Sequence, residues 1–403
     1  MGKRKICVIT GTRAEYGQLT RILALIRDNP HLELQLLVTG MHLSPEFGLT
    51  YRAIEQDGFA ITRKIELLLS SDTAVGVGKA TGLGLISFAD AFAELKPDLI
   101  LVLGDRFEIF AAAAAAMFAN IPLAHISGGE ITEGAFDDSI RHAVTKMASL
   151  HFPAAEPYRR RIIQLGEAPE TVFTVGDPAV DVILHIPLLT RDGVEQSLGV
   201  TLSRHNYLIA FHPATRSGNA AAGQFDLLLA ELDQLPESRL IFTLPNADCG
   251  GREIAAKMQR YVADHPGKAA VFASLGYQRF LSLLKIADAL VGNSSSGIVE
   301  APTFRTPSIN VGDRQKGRLR SASVIDCDPD PDSIHRAFAY LQSDEYRNRL
   351  ATAVNPYGDG GAAERIVAVL ESYDLERCRC KVFYDLPELC PAPVPSAEET
   401  PCR

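Results

Sequence analysis

Short runs of Val, Ile and Leu alternate with helix-length amphipathic segments along almost the whole chain, and the alternation stops once and starts again. Parallel strands buried on both faces read as continuous apolar runs and need long crossovers, so the pattern restricts the chain to βα units. In the first half it predicts strands over 5–10, 34–39, 99–103, 122–126, 151–153 and 172–175, with helices over 14–28 and 107–120 between them. A polar stretch, TRDGVEQSLGVTLSRHN, interrupts the series, and strands are predicted again over 207–211, 240–244, 289–292 and 308–311. The expected fold is α/β, with two Rossmann-like, doubly wound domains facing a cleft, 1–190 and 191–360, and a linker between 186 and 206. A C-terminal helix is expected over 361–375. The remainder, 376–403, is rich in Pro and Cys without a period and reads as a poorly ordered tail.

Charge and length remove several classes of function. The 403 residues carry 40 Lys+Arg against 49 Asp+Glu, a net charge of −9, and the only basic tract is Lys3-Arg4-Lys5, so no nucleic-acid partner is expected. The longest apolar run, 109–119, falls short of the roughly 20 residues of a membrane span. The first apolar stretch is too short for a signal-peptide core of about 7 to 15 residues. A cytoplasmic protein with no membrane contact is expected. Seven cysteines, an odd number without regular spacing, argue against a disulfide framework. The tail set Cys378, Cys380, Cys390 and Cys402 has neither paired C-x-x-C units nor a nearby histidine, so no metal is expected.

Ligands in open α/β sheets bind outside the carboxyl ends of the strands, which directs attention to the residues just after each one. The first strand exits through TGTRAEYG (10–17), where backbone N–H groups at Gly11 and Thr12 and the side chain of Arg13 suit an anion. The strand over 99–103 runs into Gly104-Asp105-Arg106, and a carboxylate there is either a helix cap or a general base. HISGGEITEGAFDDSIRHA (125–143) gathers His125, Glu130, Glu133, Asp137, Asp138, Arg141 and His142 around three glycines, an unusual density of ionisable groups for a connector. In the second half His212-Pro213 ends a strand. ALVGNSSSGIVEAP (289–302) offers Asn293, three serines and Gly297 before Glu300, a composition suited to a diphosphate and ribose hydroxyls.

TGTRAEYG, GDRFE, GGEITEGAFDDSIRHA, FHPAT, PNAD, GNSSSGIVEAP and GDRQKGR, in this order and at these intervals, resemble the hydrolysing UDP-N-acetylglucosamine 2-epimerases of sialic-acid and related nonulosonic-acid biosynthesis. The resemblance runs from about residue 5 to about residue 370. It implies the glycosyltransferase-B arrangement, no metal, no nicotinamide or other cofactor, a UDP-sugar substrate and a homodimer. The reaction it implies removes the proton at sugar carbon 2 and expels UDP, giving a 2-acetamidoglycal to which water adds. It assigns Asp105 and Asp137 as acid/base carboxylates and His212 as the group beside the departing diphosphate. Arg13, Arg106 and Arg314, with Ser294, Ser295 and Gly297, would hold the phosphates and sugar. Glu300 would hold the ribose, Phe280 would lie against the uracil, and His42 in MHLSPEFG and Asn246 in PNAD complete the binding set.

One position departs from the pattern. The sialic-acid branch reads I-E-G-G-E where this chain has Ile126-Ser127-Gly128-Gly129-Glu130, so Glu130 or Glu133 takes over the role of the missing carboxylate or the substrate differs. TEGAFDDSIRHAVTKM, MHLSPEFG, LLSSDT and SVIDC are more similar to the legionaminic-acid branch, which implies UDP-N,N′-diacetylbacillosamine as substrate. The competing readings are a glycosyltransferase of the same architecture and a UDP-sugar-binding sensor without catalysis.

Overall fold

A computed structural model describes residues 2–69, 73–132, 137–213, 220–245, 250–378 and 381–386. Among the described residues twelve strands form two parallel sheets of six. The first comprises β1 (Arg4–Thr10), β2 (Leu32–Thr39), β3 (Arg63–Ile65), β4 (Leu99–Leu103), β5 (Leu123–Ile126) and β6 (Leu150–Phe152), in the order β3-β2-β1-β4-β5-β6. The second comprises β7 (His205–Ala210), β8 (Ser238–Thr243), β9 (Ala269–Phe272), β10 (Ala289–Gly292), β11 (Ser308–Val311) and β12 (Val324–Cys327), in the order β12-β11-β10-β7-β8-β9.

The central strands are apolar throughout because helices cover both faces. Ile6, Val8, Leu99 and Leu101 pack on one side of the first sheet, and Cys7, Ile9, Ile100 and Val102 pack on the other. Register follows the same demand, with Ile6 beside both Leu34 and Leu99, and Leu290 beside both Leu208 and Ser308. In each sheet the strand order reverses once, between β1 and β4 and between β7 and β10. A crevice opens at each reversal, and these two crevices hold the residues considered below.

The observed strands differ from the expected set at the edges. Residues 172–175 form no strand: a single bridge joins Val172 to His151, and the chain then turns into the helix Pro178–His185, capped by Asp177. β3, β9 and β12 are short edge strands, RKI, AAVF and VIDC, that are only partly buried, so they do not demand an apolar run as the fully buried strands do. The polar stretch after residue 186 contains a helix, Arg191–Leu198, which anchors Val194 and Leu198 in the core of the second half.

The helix Ala362–Ser372 belongs spatially to the first sheet. Ile366, Val367 and Leu370 pack with Leu19, Ile22 and Ile26 of the helix Arg13–Asp28, and Arg21 pairs with Glu364. Of the tail, residues 376–378 and 381–386 are described: Lys381 donates to the carbonyl of Lys146 at 2.6 Å and pairs with buried Glu167 at 2.6 Å. Among the described residues no helix is long and apolar enough to cross a membrane.

Candidate active site

At the end of β1 the backbone donors expected to await an anion are already satisfied. Thr12 and Glu15 form a capping box: the Thr12 hydroxyl accepts from the Glu15 N–H at 3.3 Å, and the Glu15 carboxylate accepts from the N–H of Gly11 (2.8 Å) and of Thr12 (3.2 Å). What remains at this exit is Arg13, whose Nη1 crosses to the carbonyl of Ala273 in the second half at 2.7 Å. Burial and the nearby Arg279 lower its pKa to about 10. His42 is fully buried. Its Nδ1 lies 2.7 Å from the Thr50 hydroxyl and its Nε2 lies 3.1 Å from that of Thr10, so both ring nitrogens are occupied, and burial lowers its pKa to about 4.

Asp105 follows β4 and pairs with Arg141, a guanidinium that is 2% exposed. Arg141 also donates to the Thr132 hydroxyl at 2.9 Å and to the Glu130 carbonyl at 3.2 Å, so one buried side chain ties the strand exit to the loop after β5. The carbonyl before Asp105 is fixed as well, because His125 Nε2 donates to Gly104 O at 2.8 Å. Nδ1 must then accept from the Thr145 hydroxyl at 3.1 Å, and burial keeps the ring neutral with a pKa near 3. Arg106 donates to buried Glu108 at 2.8 Å. Ser127 adopts a left-handed backbone (φ 63°), an uncommon conformation outside glycine, at the position where the resemblance expects a carboxylate. The Glu130 carboxylate faces Arg318 of the second half at 3.1 Å and is 2% exposed. Asp137 opens the helix Asp137–Met147 and is half-buried. Glu133 lies outside the described residues.

On the opposite side of the cleft His212 and Asn293 clamp each other. The His212 N–H donates to Asn293 Oδ1 at 2.7 Å, and Asn293 Nδ2 donates to the His212 carbonyl at 2.8 Å. The Asn293 carbonyl accepts from Arg314 Nη1 at 3.0 Å and from Gln315 Nε2 at 2.9 Å, which fixes the loop after β11 against the exit of β10. Ser294 and Ser295 lead into a single helical turn, Ser296–Val299, with the Ser294 hydroxyl accepting from the Ser296 N–H at 3.3 Å. Gly297 faces β11 so closely that a methyl group there would overlap the Ser308 hydroxyl. Glu300 is buried and accepts from the Tyr277 hydroxyl at 2.8 Å; burial raises its pKa. Phe280, half-buried, packs against the apolar cluster of the second half that includes Leu281 and Leu284. Asn246 lies outside the described residues.

The family description UDP-N-acetylglucosamine 2-epimerase matches residues 24–371. This chain belongs to the UDP-N-acetylglucosamine 2-epimerase family. It is 43% identical over 387 residues, 96% of this chain and all of the other, to a GDP/UDP-N,N′-diacetylbacillosamine 2-epimerase (hydrolyzing) of Campylobacter jejuni. It is 36% identical over 342 residues, 83% of this chain and 86% of the other, to a UDP-N-acetylglucosamine 2-epimerase of Neisseria meningitidis. The solved structure of UDP-GlcNAc 2-epimerase from Neisseria meningitidis bound to UDP-GlcNAc has a TM-score of 0.78 at 17% identity, over 91% of this chain and 99% of that one. The two facing Rossmann-like halves are thus the fold of this family.

In this epimerase-family chain several residues that organise the site lie inside the quoted motifs without having been given a role there. Glu15 was legible as the fourth residue of a T-x-x-E capping box, and Asp177 as the Asp of a D-P helix start. Arg141 and Arg318 stood inside the quoted motifs, but their pairing with Asp105 and Glu130 carries no local signal, since only the fold brings them together. Burial, with Glu108 nearby, raises the pKa of Glu15 to about 8, and burial with Glu130 raises that of Asp177 to about 7. A cavity of about 570 Å³ lies between the halves, lined by Thr12, Arg13, Leu43, Leu244 and Ala273 among others, with the Glu46–Arg252 ion pair (3.1 Å) across it. Among the described residues there is no group of three or more His, Cys, Asp or Glu side chains suited to a metal ion.

Proposed function

We propose that the chain is a hydrolysing UDP-N-acetylglucosamine 2-epimerase, or acts on a close UDP-linked 2-acetamido sugar, in nonulosonic-acid biosynthesis. The observation that carries this reading is the opposition of two switch points. Asp105, held by Arg141, stands at the end of β4, and His212, clamped by Asn293, stands at the end of β7. In the proposed reaction a carboxylate, Asp105 or Asp137, takes the proton from sugar carbon 2. The electron pair forms the carbon 1–carbon 2 double bond, and the bond from carbon 1 to the diphosphate breaks. His212 and Arg314 stabilise the departing phosphate oxygen, and water then adds to the glycal. A carbon acid this weak needs both a placed base and a stabilised leaving group, which is why the two halves must each supply one.

A second reading, the N,N′-diacetylbacillosamine sugar, is favoured by Ser127, which puts a short side chain where a carboxylate would contact a more hydroxylated sugar. The name of the Campylobacter relative agrees with it. Both readings are tested by incubating the protein in deuterated water with UDP-N-acetylglucosamine and with UDP- and GDP-N,N′-diacetylbacillosamine, following nucleotide release and deuterium at carbon 2 by proton NMR. Release with deuterium in a manno-configured product is expected, and the faster substrate identifies the sugar. UDP binding with neither signal for any sugar would overturn the reading in favour of a sensor or transferase.

The reading includes a homodimer. Val75, Leu83 and Ile86 share one face of the helix Ala74–Leu95, and together with Phe118, 76% exposed, they leave apolar surface suited to a second copy. It also includes a cytoplasmic location, which agrees with Cys7, Cys327 and Cys378 being unpaired thiols.

A further inference from the structure

Glu130 was expected to exchange a proton with the sugar, but its surroundings suit a different task. Its carboxylate is paired with Arg318 of the second half, whose side chain is 12% exposed, so the carboxylate is committed to a contact between the halves. The contact has a frame around it. The N–H of Leu319, next to Arg318, donates to the Tyr158 hydroxyl at 3.0 Å, and Tyr158 shares a hydrogen bond with Tyr357 at 3.0 Å. Tyr158, Ala179 and Val180 from the first half pack with Ile298, Val299 and Val324 from the second.

Each end of the pair leads to reacting groups. On one side the Glu130 carbonyl receives Arg141, whose other nitrogen is on Asp105. On the other, the N–H of Arg318 donates to Gln315 O at 3.3 Å, Gln315 holds the Asn293 carbonyl, and Asn293 clamps His212. Burial works against a charged Arg318, yet the facing Glu130 and neighbouring groups hold its pKa above the ordinary value. A pair this enclosed contributes little net stability compared with apolar packing, but it is costly to break from one side and is therefore suited to fixing a geometry.

We propose that Arg318 and Glu130 are positioning residues: their ion pair sets the register between the proton-abstracting carboxylates of the first half and the leaving-group side of the second. The proposal rests on the epimerase reading for its chemistry but not for its geometry. A misplacement of about 1 Å between reacting groups can cost on the order of 10²-fold in rate.

The test uses the full-length protein as Glu130→Gln, Arg318→Gln, the double variant and Arg318→Lys. Turnover, Michaelis constant and calorimetric UDP affinity are measured, along with small-angle X-ray scattering without substrate. Each Gln variant should lower turnover about ten- to a hundredfold with UDP affinity within about threefold, and the double variant should be no worse than the poorer single, because both lose one shared contact. Scattering should show a wider inter-half distribution in both Gln variants. Arg318→Lys keeps the buried charge, should fall between wild type and Arg318→Gln, and carries the test if the Gln variants do not fold. Multiplicative losses in the double variant, or a displaced limb in the pH profile of turnover for Glu130→Gln alone, would make Glu130 a proton carrier and overturn the proposal. Unchanged scattering in both Gln variants would overturn it whatever the turnover shows, and scattering still decides the pair if the wild type turns over none of the sugars.

Discussion

Replacing Gly297 with Ala adds one methyl group at a crowded contact between the turn Ser296–Val299, proposed above to hold the nucleotide, and the sheet beneath it. The new Cβ would overlap the Ser308 hydroxyl and lie 3.2 Å from Leu290 Cδ2, and both neighbours are only 1% exposed, so neither can swing into solvent. Overpacking of a buried site by one such group costs about 1–3 kcal/mol. If the turn Ser296–Val299 retreats from β11 to relieve it, the cost appears in nucleotide binding, as a loss of UDP affinity of about five- to 150-fold. If the turn stays in place, the cost appears in stability, as a fall in thermal midpoint of about 2–4 °C per kcal/mol for a unit of this size. Calorimetric titration with UDP and thermal denaturation of the same preparation read the two shares, which should add up to the packing cost. Ser308→Ala in the same chain removes the hydroxyl overlap and leaves a 3.3 Å contact with the Ser308 Cβ, so it should recover most of the loss. A Gly297→Ala protein with wild-type UDP affinity and wild-type midpoint would refute the reasoning that this glycine exists to let the turn approach the sheet.

Asp105→Asn and His212→Ala should each reduce turnover by about 10²-fold or more with the fold retained, as acid/base groups do, and more than about a tenth of wild-type turnover in either would remove the role assigned to it. Glu15 supplies a pH signature. Its pKa is about 8 in the folded chain against 4.5 unfolded, so between those values the native state binds more protons and stability falls as pH rises. Glu15→Gln keeps an oxygen for the Gly11 and Thr12 N–H groups and cannot titrate, so its thermal midpoint should gain on that of the wild type from pH 5 to pH 8; a constant difference would contradict the buried-carboxyl account. Ile86→Asp with Phe118→Asp should convert a dimer to a monomer in light scattering with turnover per chain as the second readout, and an unchanged mass would remove this face as the interface.

The sheets were legible because their central strands must be apolar on both faces, which writes runs such as KICVIT and LILVL into the chain. Edge strands escape part of that demand, and β3, β9 and β12 went unread, while the fourth edge strand, β6, was read because all three of its residues are buried. The strand exits were legible as locations, since Asp105, His212 and the SSSG segment all stand where a doubly wound sheet opens. Their partners were not, because Arg141 reaches Asp105 across 36 positions and Arg318 reaches Glu130 across nearly half the chain. Gly11 and Thr12 show the opposite error. Composition marked them as free donors, while the residue that satisfies them stood three positions after Thr12 in a readable capping box.

The return of the helix Ala362–Ser372 to the first sheet makes that half discontinuous in sequence. Leu19, Ile22 and Ile26 have no cover on one flank until residues beyond 360 have been made, by which time the second half has already been synthesised. During synthesis the first half therefore waits with an unfinished core while the second can complete its own, and the order of maturation on the ribosome runs against the order of the chain. A fragment ending near residue 190 would present the same bare flank permanently, and expression of that fragment alone should yield aggregate rather than a soluble half.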